Sequence, residues 1–215
     1  MKLPKKEIIT QEQMTSILDT CYSSALNGIP GSKDARSLGD EYLNKYKDKD
    51  SAIKNLVNNQ IAKCSISGFL SSIGGLITLP VAVPANVASV LYIQLRMIAA
   101  IAHIGGYNVK SDEVQTLVYL CLTGSSMADI CKSTGINIAN KTASNLLKKV
   151  PGTVLTKINQ KVGFRLVTKF GEKGAINLVK LVPVAGGLVG GGVDFVGTRV
   201  IADKARKMFI LDLID

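Results

Sequence analysis

Three side chains in apolar company are the ones equipped for chemistry: Arg96 and His103, seven residues apart in a nearly charge-free stretch, and Asp194, just after a run of glycines. Two helical turns separate Arg96 from His103, which puts them on one face with Ala99, Ala100 and Tyr107 nearby. A guanidinium, an imidazole and a carboxylate gathered inside a core would form either a buried acid and base site or a structural ion pair. Asp194 is the natural partner for Arg96, with Arg199 close behind it in the chain. Because His103 is the sole histidine, a His-rich metal site or a Ser-His-Asp triad with a spare base is hard to build. GxSxG, HExxH, a Walker A loop and any His/Cys cluster are absent, and GLVGGG at Gly187 to Gly192 lacks both the spacing and the preceding strand of a dinucleotide site. His103 therefore reads as a structural polar group. No catalytic residue is assigned, and no metal or cofactor is expected.

The second constellation is a row of cations. Val154, Ile158, Val162, Leu166 and Phe170 recur every four residues, and Lys157, Lys161, Arg165, Lys169 and Lys173 recur beside them. Each such step drifts only about 40° around a helix, so both rows persist as stripes. From Lys141 to Lys180 there are nine basic residues and a single acid, Glu172, which places +8 of the total +10 charge in that window. A basic amphipathic helix suits the surface of an anionic membrane or a protein partner. The plainer reading is the solvated face of a packed helix. Nucleic acid is the least favoured, since no aromatics are interleaved for base stacking and no known binding motif appears.

The elements that must hold these residues are helical. Cys64 to Leu95 is a 32-residue run without a charge, interrupted by Gly68, Gly74, Gly75, Pro80 and Pro84. The prolines break it near Leu79 to Pro84, so it reads as a helical hairpin, with 64–107 as an apolar core region. Such a hairpin suits a soluble core or partial insertion into a bilayer. Before it come an amphipathic helix within residues 1–27, a Gly- and Pro-bearing loop at 28–40, and a polar helix from about Leu38 to Ile61. In this reading KYKDKD, at Lys45 to Asp50, is a solvated face.

After Gly105 and Gly106 a helix starts at Ser111 with Asp112 and Glu113 in its first turn. A short helix then runs to about Lys132, another occupies 137–149, the basic helix takes 153–173, and a Gly-rich helix covers 183–209. The spacings Gly186/Gly190 and Gly187/Gly191 point to close helix packing against the Gly68 to Gly75 hairpin.

The totals fit one domain: 215 residues, 47% hydrophobic, 20% charged, no Trp. Cys21, Cys64, Cys121 and Cys131 lack CxxC spacing and read as buried reduced thiols. No apolar stretch of signal-peptide length follows the basic start MKLPKK, which points to the cytoplasm.

Two blocks resemble the EcsC family of bacterial proteins. The first is GGLITLPVAVPANVASVLYIQLRMIAAIAHIGGY, with Leu79-Pro80, Pro84, Arg96, Ile101-Ala102 and Gly106-Tyr107 at the motif positions. The second runs from Val182 to Phe209, where Pro183, the glycines, Asp194, Arg199, Ala202, Ala205 and Phe209 supply the pattern. Val81, Ala82 and Val83 stand where the family often has an acid between the prolines, so a role resting on that carboxylate does not transfer. The resemblance implies a helical protein associated with membranes or with membrane transport, and hence a transporter component as one possible partner.

The expectation is a single all-α domain, a bundle of roughly seven to nine helices with close-packed Gly-rich segments. Three functional readings stand. One is peripheral binding to anionic lipid on the cytoplasmic membrane surface through Lys157, Lys161, Arg165, Lys169 and Lys173. The second is a soluble module for a transporter subunit. The third is an enzyme using Arg96, His103 and Asp194 on an apolar substrate.

Overall fold

Capping residues decide where the helices begin. In the computed structural model, which describes residues 10–64, 85–124, 127–136, 142–143, 150–170 and 189–214, Thr10 accepts from the Gln13 backbone while the Gln13 side chain reaches back to Thr10. That reciprocal pair opens α1, Gln11–Asn27. Asp34 accepts from the Arg36 and Ser37 backbone N–H groups and starts α2, Ala35–Lys45. The loop before it therefore closes at residue 34, shorter than the expected 28–40.

The single polar helix expected from Leu38 to Ile61 is two helices. Tyr46 leaves α2 in an extended conformation, and Asp48 accepts from the Ser51 backbone to open α3, Lys49–Cys64. KYKDKD is thus a turn with a cap inside it, where a solvated helix face was expected. The remaining helices are α4, Ala85–Ile104; α5, Asp112–Leu122, capped by Ser111; α6, Met127–Ser133; α7, Gly152–Phe170; and α8, Val189–Phe209. The protein is all-α, with eight helices and no strand among the described residues.

Helix α4 is the axis of the bundle. It touches α1, α2, α3, α5 and α8, and every residue from Ala88 to Ala102 is buried. The segment Val87–Ile104 is long and apolar enough to cross a membrane by length and composition, yet 89% of it is buried by the surrounding helices. Burial of that order on all sides explains an apolar circumference, because a helix wrapped by neighbours has no wet face to serve. The four cysteines are buried, as expected.

Close approach is achieved at particular glycines. A Cβ on Gly105 would lie 2.2 Å from the Phe209 carbonyl oxygen, so the ends of α4 and α8 meet backbone to backbone. Gln94 Nε2 donates to Thr198 Oγ1 over 2.9 Å further up the same pair, and the matching offset shows that α4 and α8 run parallel. Gly39 of α2 lets that helix settle on α4, where a Cβ would be 3.0 Å from the His103 ring and 3.2 Å from the Ala100 carbonyl. The proposed glycine pairings of 186/190 and 187/191 with the Gly68 to Gly75 hairpin lie outside the described residues, as do the hairpin break and nearly all of the expected 137–149 helix. Among the described residues, nothing lies within 4 Å of a Cβ built on Gly197.

Candidate basic surface and buried arginine

Helix α7 is built as its sequence rows require. Ile158, Val162 and Leu166 are buried, and Lys157, Lys161 and Arg165 are exposed. The buried row rests on α1, α5 and α6. Gly163 brings α7 close to α1, since a Cβ there would lie 3.1 Å from Thr15 Oγ1 and 3.3 Å from the Gln11 carbonyl. Anchoring the apolar row this tightly fixes the cations outward. Lys169 continues the row on the α7 backbone, and the outcome for its side chain and for Lys173 lies outside the described residues.

One exposed aromatic interrupts the cationic face. Phe164 is 56% exposed, the most exposed of the large apolar side chains among the described residues. With Lys157, Gln160 and Lys161 of α7, Gln11 of α1, Ser133 at the end of α6 and Thr134 just after it, it borders a surface hollow of about 320 Å³. Among the described residues, Arg165 alone of the three cations has an acidic neighbour, Asp129 of α6 at 3.8 Å, and both partners are about half exposed or more. Such a contact holds little energy and screens readily. Sequence reasoning recorded the cations and passed over Phe164, although its position three residues after Lys161 and one before Arg165 puts it beside both.

Arg96 sits in a different setting. It is 2% exposed, directed at the turn before α2 and at α3. Its Nη1 donates to Ser32 Oγ, to the Lys33 carbonyl at 3.2 Å and, more weakly, to the Tyr92 hydroxyl at 3.5 Å. Its Nη2 donates to Gln60 Oε1 at 2.7 Å, and the guanidinium lies 5.2 Å from the centre of the Tyr92 ring. Burial pulls the guanidinium below its usual pKa, and the nearby Tyr92, Cys64 and Tyr42 oppose that shift. The expected partner, Asp194, has a side chain outside the described residues; among those described, every acceptor on Arg96 is neutral.

Among the described residues, His103 and Arg199 are not brought to Arg96. His103 Nε2 is 2.7 Å from Asp40 Oδ1 of α2, near the surface, and shares no partner with Arg96. Arg199 was expected in a buried polar site and is instead exposed. It lines a groove with Asp50, Lys54, Asp203 and Arg206 between α3 and α8, where Arg206 pairs with Asp50 at 2.8 Å. The physical reason is helical phase. Thr198 turns inward to Gln94, so its neighbour Arg199, 100° further round, turns outward. Sequence reasoning also missed Ser32, Gln60 and Asp40 as partners. The available signal was Gln60, the polar member of the buried α3 row Leu56, Val57, Gln60 and Ile61.

The model of the EcsC protein family matches residues 3–211, nearly the whole chain. No curated protein and no solved structure matches it.

Proposed function

The chain belongs to the EcsC family, and from that premise we propose that it docks peripherally on an anionic membrane surface through the exposed face of α7. The observation that carries this reading is Phe164, 56% exposed within a row of outward cations. A membrane interface takes both groups: phosphates meet the cations and the ring enters the boundary of headgroup and acyl chain. Each cation near such a surface contributes about 1 kcal/mol, so Lys157, Lys161 and Arg165 together supply about 3 kcal/mol at low salt. Lys169, next on the same row, adds to them. The leaflet that fits is the cytoplasmic one, whose anionic lipids give it a negative surface potential. In that position the protein would serve as an accessory or regulator of a membrane process.

Flotation of the full chain with neutral and with anionic liposomes, at low and high salt, tests the reading. It expects flotation with anionic vesicles alone, lost at high salt. Salt-resistant flotation with both vesicle types would replace it by apolar insertion of another segment, and no flotation would end it.

A further inference from the structure

Lys157, Gln160, Lys161 and Phe164 follow one another at steps of three, one and three residues, so they frame a single opening on one face of α7. Gln11 of α1, Ser133 at the end of α6 and Thr134 just after it wall that opening into the hollow of about 320 Å³. Small-ligand sites begin at about 300 Å³. The rim is chemically divided. Lys157 and Lys161, one turn apart and both exposed, can only donate. Ser133 Oγ donates its proton to the Ile130 carbonyl at 2.9 Å, and Thr134 Oγ1 shares its proton between the Ile130 and Cys131 carbonyls at 3.0 and 2.9 Å. A hydroxyl has one proton, so with that proton turned back onto the end of α6 each oxygen has only lone pairs left to offer. The side-chain amides of Gln11 and Gln160 carry both kinds of group. An anion made of acceptors alone satisfies the lysines and gives the two hydroxyl oxygens nothing.

We propose that this hollow selects a lipid headgroup that joins a phosphodiester to free hydroxyls, a polyol phosphate. The proposal rests on the docking of α7 at an anionic membrane and specifies which anionic lipid is preferred there. The phosphodiester lies against Lys157 and Lys161, and headgroup hydroxyls donate to Ser133 Oγ and Thr134 Oγ1. Phe164, on the same rim, stands at the level where headgroup gives way to acyl chain. Charge alone attracts every anionic lipid equally. Discrimination comes from the acceptors, because a headgroup without hydroxyls leaves both oxygens without a donor from the lipid. The hollow is open to water, which can replace a missing hydroxyl in part, so the preference is several-fold and not absolute.

Phosphatidylcholine vesicles carrying equal mole fractions of phosphatidylglycerol or of phosphatidylmethanol provide the test. Both anionic lipids are phosphodiesters of single negative charge, and only the first has hydroxyls. Co-sedimentation of the full chain at low salt gives a half-saturation point for each. The proposal expects phosphatidylglycerol vesicles to bind about fivefold more tightly. Ser133→Ala together with Thr134→Val removes both acceptor oxygens and no charge. That double variant should lose the preference, its binding to phosphatidylglycerol falling to the phosphatidylmethanol level. Lys157→Gln together with Lys161→Gln should weaken binding to both lipids, and undiminished binding there would move the contact off this hollow and overturn the proposal. Equal binding of the parent to the two lipids, or an intact preference in the Ser133→Ala, Thr134→Val variant, would overturn the headgroup selection while leaving the docking of α7 in place. No binding to either vesicle would overturn both.

Discussion

The molecule gathers positive charge in two places by opposite means. On α7, Lys157, Lys161 and Arg165 stand in water with one distant carboxylate among them. At the middle of α4, Arg96 is withdrawn from water and given fixed neutral acceptors on three segments. Charges of the first kind act additively, at a distance, and fade with salt. A charge of the second kind acts through geometry and is insensitive to salt, because removing any partner strands a desolvated group. The lesson is that solvation, more than sign, determines what a cation in this fold does.

The sharpest contrast between buried and exposed groups is expected at high pH. Burial pushes the Cys21 thiol up to about 12 and Cys131 to about 11 from an ordinary 9, and it raises Cys121, Tyr22 and Tyr119 as well. A folded-state pKa above the unfolded one means that the native state holds its proton more tightly. The stability this confers on the thiols is complete below pH 9 and is lost as pH rises toward 11 and 12. Chemical unfolding followed across that range should show a steady decline, shallower in Cys21→Ala relative to its own neutral value. A flat profile would mean that these thiols are not buried.

Next in size, changing Lys157, Lys161 and Arg165 together to Gln should remove about 3 kcal/mol of affinity for anionic vesicles, roughly a hundredfold, while Tm stays within a degree or two. Gln60→Leu should do the reverse. Arg96 loses its charge-assisted bond to Gln60 Oε1, so stability should fall by about 2 kcal/mol at every salt concentration, with vesicle binding unchanged. Denaturant titration and co-sedimentation on the same two variants measure both quantities. If either variant moved both, the two regions would be one. The smallest effect is Asp129→Asn, which removes the exposed neighbour of Arg165. Stability should change by less than about 1 kcal/mol, and vesicle binding should strengthen slightly.

The same contrast explains what could be read from the chain. The α7 stripes were legible because exposure and burial alternate with the helical period over five turns, and Ser111 with two acids after it announced α5. The break at residues 46–48 was hidden because its cap, Asp48, stands in a cluster of charges that looks like solvent-facing surface. Arg96 was identified as costly, yet among the described residues its acceptors are neutral, and Ser32, Lys33 and Gln60 lie 64, 63 and 36 residues away. Reasoning from opposite charge pointed to Asp194, whose side chain lies outside the described residues, and overlooked a glutamine and a serine. The close approaches at Gly39 and Gly105 were equally hidden, since nothing local distinguishes them from Gly197, where a Cβ would meet nothing within 4 Å among the described residues.

The chain contains no tryptophan, so Phe164→Trp places the only indole of the protein in the middle of the proposed docking face. Its emission on titration with anionic and neutral vesicles tests the central claim most directly. Membrane docking through α7 predicts a blue shift with anionic vesicles at low salt, reversed by high salt and absent with neutral vesicles. Unchanged emission while the protein is bound to the same vesicles would show that another face makes the contact.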